Sequence, residues 1–161
     1  MSSESIITNE YAEFISALKA DIQKSQIKAA LSVNRELVLL YWRIGNGILA
    51  KQKELGWGAK VVEQISLDLR LEFPAMKGFS RTNLLYMRSF AGNYPDYEFV
   101  QQAAGQIPWF HNCVILDKVK NYTEREFYIR KTIENGWSRN VLEIQNFTRK
   151  PAGKSSDNRR N

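Results

Sequence analysis

One cysteine, Cys113, and one histidine, His111, are the only soft metal ligands in the 161 residues. A disulfide framework is thereby excluded, and the lone thiol suits a reducing compartment. A closed zinc site is excluded too, because two such ligands at i and i+2 cannot complete a tetrahedron. Nor can they act as nucleophile and base from one helix, where neighbours two apart do not face each other. A buried thiol and a hydrogen-bonded imidazole are the plain expectation. Long apolar runs are also missing. Arg35 and Arg43 flank the richest stretch, Leu37–Trp42, well short of the ~18 residues of a membrane span. The opening Met1-Ser2-Ser3-Glu4-Ser5 has neither the basic nor the apolar region of a secretion signal. These absences point to a cytoplasmic protein with no membrane partner.

Cofactor chemistry lacks its usual marks. Gly45-Asn46-Gly47 is the nearest approach to a phosphate loop, but it has no third glycine and no preceding strand. No metal, cofactor or catalytic residue is expected. What remains is a chain with 43% hydrophobic and 12% aromatic residues. At this length it can bury about 68–70% of its unfolded surface without staples.

The net charge of +6 is unevenly placed. Residues 147–161 carry +4 of it, leaving +2 for 1–146. A basic tail attracts polyanions without sequence preference, so the overall charge says little about the folded part. Local charge says more: Lys77, Arg81 and Arg88 lie in a stretch with no acid between them.

Helical periodicity runs through every long segment, with no sustained two-residue alternation, and predicts an all-α fold. Tyr11, Phe14, Ile15, Leu18 and Ile22 form one stripe. A second helix is predicted over about residues 28–53, with Leu31, Asn34, Val38, Tyr41 and Ile48 on one side. Gly45 and Gly47 inside it imply a bend or the close approach of another helix. A third helix spans 59–73 and must stop before Pro74. Ser80 caps a fourth, and Gly92-Asn93-Tyr94-Pro95 closes it. Short helices follow over 96–104 and 111–120. Thr123 and Glu126 read as a capping box for the next helix, which ends at Asn135-Gly136. Ser138 starts the last one. One domain, 8–146, followed by a disordered tail, 147–161, is the expected organisation.

Tyr41-Trp42-Arg43-Ile44-Gly45, Gly56-Trp57-Gly58, Gly78-Phe79-Ser80 with Asn83-Leu84, Pro108-Trp109, Arg125-Glu126-Phe127-Tyr128 and Asn135-Gly136-Trp137-Ser138-Arg139 follow one another along the chain. In that order they resemble the N-terminal domain of YhcG-type proteins, bacterial members of the PDDEXK nuclease superfamily. The resemblance implies a helix-turn-helix-like or winged-helix-like DNA-binding part that precedes a nuclease domain. The pattern departs after Gln145. No Asp or Glu is followed two residues later by Lys, so the carboxylate-and-lysine pair of such a nuclease has no counterpart. The chain is therefore expected not to be an enzyme by itself. It reads as a stand-alone targeting module or as the shortened remnant of a nuclease.

The expected nucleic-acid interface is a helix-turn-helix corner whose second helix opens Ser80-Arg81-Thr82-Asn83. Arg81 could pair with guanine and Asn83 with adenine, while Lys77 and Arg88 would hold phosphates. Double-stranded DNA is the expected partner. The competing expectation is a protein-interaction module that self-associates or docks a nuclease partner. It would use the aromatic set Trp57, Tyr97, Phe99, Trp109 and Phe110.

Overall fold

The periodic stretches are helices in the computed structural model, which describes residues 2–29 and 33–148, with side chains described over 8–26 and 33–145. Among the described residues there are eight α-helices, one 3-10 turn and no strand. The fold class is all-α, as expected. The chain forms two units, Met1–Pro95 and Asp96–Asn161.

The first unit holds α1 (Ser2–Ala29), α2 (Val33–Leu55), α3 (Lys60–Glu72) and α4 (Arg81–Asn93). On α1 the stripe Phe14, Ile15, Leu18 and Ile22 is buried, and half-buried Tyr11 marks its edge. Each such side chain withdrawn from water contributes roughly 1.5–3 kcal/mol. Polar ties fix the register of α1 on its neighbours. Asp21 accepts from Arg43 of α2 at 3.0 Å, and the Tyr11 hydroxyl donates to Asp68 of α3 at 2.5 Å. Val38, Leu40, Tyr41, Ile44 and Ile48 bury the matching side of α2.

Gly45 and Gly47 of α2 serve close approach. A methyl at Gly45 would overlap the backbone carbonyl of Met87 on α4, so the two helices cross almost backbone to backbone. At Gly47 a methyl would come within 3.1 Å of the Phe14 ring of α1. The roughly 1 kcal/mol that each glycine costs the helix is offset by that packing. Leu84, Met87, Phe90 and Ala91 form the buried face of α4, and Phe90 meets Tyr94 edge to face at 5.1 Å.

The second unit holds α5 (Tyr97–Gln102), a 3-10 turn (Ala104–Gln106), α6 (Trp109–Lys118), α7 (Tyr122–Asn135) and α8 (Arg139–Thr148). The expected capping box is corrected here. The cap of α7 is Asn121, whose carboxamide oxygen accepts from the Glu124 N–H at 3.1 Å. Thr123 already lies inside the helix, and Glu126 instead pairs with Arg130 one turn on at 3.0 Å. The start of α6 is Trp109 rather than His111, because Pro108, with φ −61°, is already set for the approach. Gly136 ends α7 in the left-handed region at φ 62°, and Ser138 accepts from the Val141 N–H at 3.2 Å to start α8. Phe147 and Thr148, read from sequence as the first tail residues, belong to α8. The rest of that expected tail and the expected place of Leu31 lie outside the described residues.

Candidate nucleic-acid interface

The connection between α3 and α4 is the whole segment 73–80, against the roughly three- to four-residue turn of a tight helix-turn-helix corner. Its path explains the length. Phe73 and Phe79 are both buried, with ring centroids 6.4 Å apart. The backbone between them returns along α3, where the Ser66 hydroxyl donates to the Phe79 carbonyl at 2.7 Å. Arg81 then reaches Glu63, still further back, at 3.6 Å. The first turn of α4 consequently sits beside the N-terminal half of α3 rather than beyond its C-terminal end. Gly78 is part of this arrangement, since a methyl there would overlap the Tyr41 hydroxyl of α2.

Ser80 takes the capping position: its hydroxyl oxygen accepts from the Asn83 N–H at 3.1 Å. A hydroxyl used this way keeps its own proton for another acceptor. Thr82 and Lys77 are exposed, and neither has an acidic partner among the described residues. Arg81 is 50% exposed and Glu63 65% exposed. Such a surface pair is worth at most about 1 kcal/mol, so Glu63 does little to hold the guanidinium back from a stronger anion.

Two of the expected contacts are turned elsewhere. Asn83 is half-buried, and its Nδ2 donates to the Gly78 carbonyl at 2.7 Å. That bond closes the start of the helix and occupies a donor that base reading would need. Arg88 lies one face round and donates to Gln52 of α2 at 3.1 Å. Neither Glu72 nor Asp96, the acids nearest in sequence, is its partner in that bond; Glu72 pairs with Lys19 at 3.5 Å.

Arg70 is the cation that sequence reading missed. It is exposed, and its Nε donates to the Ser66 hydroxyl at 3.1 Å, the same hydroxyl that holds Phe79. Its guanidinium therefore borders the returning segment near Ser80. The i, i+4 spacing of Ser66 and Arg70 was readable, but only the return of the chain brings them to this surface. Lys77, Arg81 and Arg70 together make the start of α4 a cationic edge, with Glu63 as its one paired acid among the described residues.

The aromatic set does not form a docking face. Trp57, Phe99 and Trp109 are buried, Tyr97 is half-buried, and only Phe110 stands out at 60% exposed, with Arg139 over its ring at 5.7 Å. His111 donates from Nε2 to the Trp137 carbonyl at 2.9 Å. Burial, reinforced by the nearby Asp117 carboxylate, pushes the Cys113 thiol up to about 12. Among the described residues no group of 3 or more metal-ligating side chains comes together. No helix there is long and apolar enough to cross a membrane.

Comparison with known proteins identifies a family. Residues 17–149 match the model of the DUF1016 N-terminal domain. A protein of Escherichia coli (strain K12), YhcG, named as a candidate nuclease, is 26% identical across 156 aligned positions, covering 77% of this chain and 41% of that protein. The chain thus spans about two fifths of the length of the curated relative it matches. No solved structure matches it.

Proposed function

The chain belongs to the DUF1016 N-terminal domain family, and on that premise we propose that it is a non-catalytic module that places double-stranded DNA against the start of α4. The observation that carries this reading is the cationic edge formed by Lys77, Arg81 and Arg70 around a capped helix N-terminus. Helix N-termini present backbone N–H groups to phosphates, and basic side chains beside them add attraction that falls steeply with salt. In this arrangement Lys77 and Arg70 hold phosphates. The Ser80 hydroxyl donates its remaining proton to a phosphate oxygen, while Arg81 and Thr82 reach toward the groove. Asn83 supports the turn from within, and Arg88 stays with α2. A nuclease partner, or the nuclease part of a longer chain, would then act on the DNA so held.

The test is fluorescence anisotropy of a duplex across a salt series. Arg81→Ala and Lys77→Ala should each weaken binding about three- to tenfold and reduce the salt slope by about 1. Trimming residues 149–161 should lower affinity without abolishing it. Binding lost entirely with the tail, or unmoved by Arg81→Ala and Lys77→Ala, overturns the proposal.

One observation favours a second reading. Leu67 and Leu71 lie one turn apart on α3 and are 48% and 73% exposed. A pair of bare leucines suits contact with another protein, a second copy or a nuclease partner. Self-association that persists at high salt and disappears with Leu71→Glu supports that reading. A monomer in sedimentation at all concentrations removes the second-copy form of it.

A further inference from the structure

The outward side of α3 sets its charges around two leucines in a particular order. Val61, Val62, Ile65 and Leu69 are buried, while Glu63, Gln64, Leu67, Arg70 and Leu71 face water. On a helix of about 3.6 residues per turn these five share one crest, roughly 120° wide, with Leu67 near its middle. Glu63 and Arg70 form the flank toward α4, where Glu63 meets Arg81 and Arg70 meets Ser66. Gln64 and Leu71 form the other flank, toward α1, where Gln64 donates to the Asp68 carboxylate that Tyr11 also holds. Leu67 and Leu71 are 48% and 73% exposed.

This crest is its own complement. A two-fold axis at Leu67, perpendicular to the helix, lays a second copy of α3 antiparallel on the first and keeps like flank beside like flank. Leu67 then meets Leu67 of the second copy, Glu63 meets its Arg70, and Gln64 meets its Leu71, all level to within about 1.5 Å, the rise of one residue. Symmetry makes the ion pair twice. A parallel pairing lacks this match, since it sets Glu63 beside Gln64 and Arg70 beside Leu71. A foreign acidic segment would meet Glu63, and a foreign basic one would meet Arg70.

The atoms needed are open. Arg81 approaches Glu63 through Oε2 and leaves Oε1. Ser66 takes Arg70 at Nε, leaving both Nη groups for a carboxylate. Lys60, also exposed, reaches past the end of the second copy's helix, which stops at Glu72.

We infer that α3 is a dimer face, on which two copies of this chain pair antiparallel about an axis at Leu67. The inference rests on the protein-contact reading of Leu67 and Leu71 and supplies its partner; it does not depend on the DNA reading. One pair of 13-residue helices lies at the small end of specific interfaces, below about 1,200 Å² in total, so the dimer is reversible.

Sedimentation equilibrium of the full chain, from about 10 µM to about 1 mM, suits an association of that class. A monomer–dimer equilibrium is expected. Glu63→Arg or Arg70→Glu alone sets like charges together twice and should weaken it about tenfold. The combined Glu63→Arg/Arg70→Glu should return it to within about threefold of the natural chain. Cysteine placement decides the register should those variants not fold. In a Cys113→Ala chain under mild oxidation, Leu67→Cys should cross-link to itself. Leu71→Cys should not, because its two copies stand about 12 Å apart along the helices. A chain that stays monomeric overturns the inference and leaves contact with a nuclease partner standing. A dimer that Leu71→Glu dissolves, but that the combined reversal fails to restore, keeps the protein-contact reading and overturns the antiparallel pairing. Cross-linking of Leu71→Cys as readily as Leu67→Cys overturns it as well.

Discussion

Two helix-to-helix corners in this chain both contain glycine, and the glycines are there for different reasons. In the corner between α7 and α8, Gly136 adopts φ 62°, and a methyl built on it meets nothing within 4 Å. In the corner between α3 and α4, Gly78 is not among the positive-φ residues, yet a methyl there would overlap the Tyr41 hydroxyl. The first glycine answers to its own backbone; the second answers to a side chain thirty-odd residues away in α2. The α7–α8 corner is therefore a local device, closed by Gly136 and by the Ser138 cap at 3.2 Å. The α3–α4 corner is a tertiary one, held by Phe79 against Tyr41 at 6.5 Å, by Ser66 and by the buried ring of Phe73. The candidate DNA-binding edge is built on the second kind.

The sharpest way to break this comparison is Gly78→Ala. The added methyl must displace the Tyr41 ring or the segment 73–80, at a cost of about 2–3 kcal/mol in urea unfolding. Removing the hydroxyl in Gly78→Ala/Tyr41→Phe should recover part of that loss. A double-mutant cycle should show non-additivity of at least about 1 kcal/mol. Additive losses would mean that the overlap is relieved elsewhere and that the corner is not set by Tyr41. Because the start of α4 moves with this segment, Gly78→Ala should also weaken duplex binding, whereas Arg81→Ala should weaken it with unfolding unchanged.

Gly136→Ala is the smaller counterpart. A residue with a Cβ pays roughly 1–2 kcal/mol in the left-handed region, and no neighbour stands in the way of the methyl. A loss of about 1 kcal/mol, additive with any substitution in α6 or α8, is expected. A loss as large as that of Gly78→Ala would erase the distinction between the corners.

The same division explains what could be read from sequence. Features decided within a few residues were legible: the Ser80 and Ser138 caps, the left-handed Gly136, the stop before Pro74 and the stripe from Phe14 to Ile22. The close approach at Gly45 was also readable, because a glycine in a helix interior needs a reason. The partner, Met87, was not. Asn121 was passed over as a cap in favour of Thr123, since both are good capping residues and only the path of the chain decides between them. The return of segment 73–80 along α3 depends on where Phe73 and Phe79 find buried places, and no local pattern encodes that. Arg70 therefore arrives at the edge unannounced, while Asn83 and Arg88, read as outward contacts, are drawn to Gly78 and Gln52. The burial of Trp57 belongs to the same class: the motif Gly56-Trp57-Gly58 was visible, and the packing of its indole against Tyr11 and Phe14 of α1 was not.

Alkaline pH offers the gentlest probe. The Cys113 thiol ionises near 9.0 in an unfolded chain, and burial together with the Asp117 carboxylate raises it to about 12 in the fold. Its contribution is thus complete below pH 9 and is lost as pH climbs from there toward 12. By pH 10 the loss stays below about 1.4 kcal/mol, one unit's worth. Tyr11 of α1 is shifted in the same direction, by burial first and then by its bond to Asp68, so alkali also loosens the α1–α3 tie. Cys113→Ala separates the two. It should flatten the part of the stability profile between pH 9 and pH 10 while leaving a decline at higher pH to which Tyr11 and the Tyr122 hydroxyl, raised by burial and by Glu126, both contribute, and that Tyr11→Phe then reduces. Alkylation of Cys113 in the native chain should remain slow at pH 9 and become fast on adding denaturant. Rapid native labelling at that pH would show the thiol to be neither buried nor raised, and Cys113 would drop out of the alkaline response.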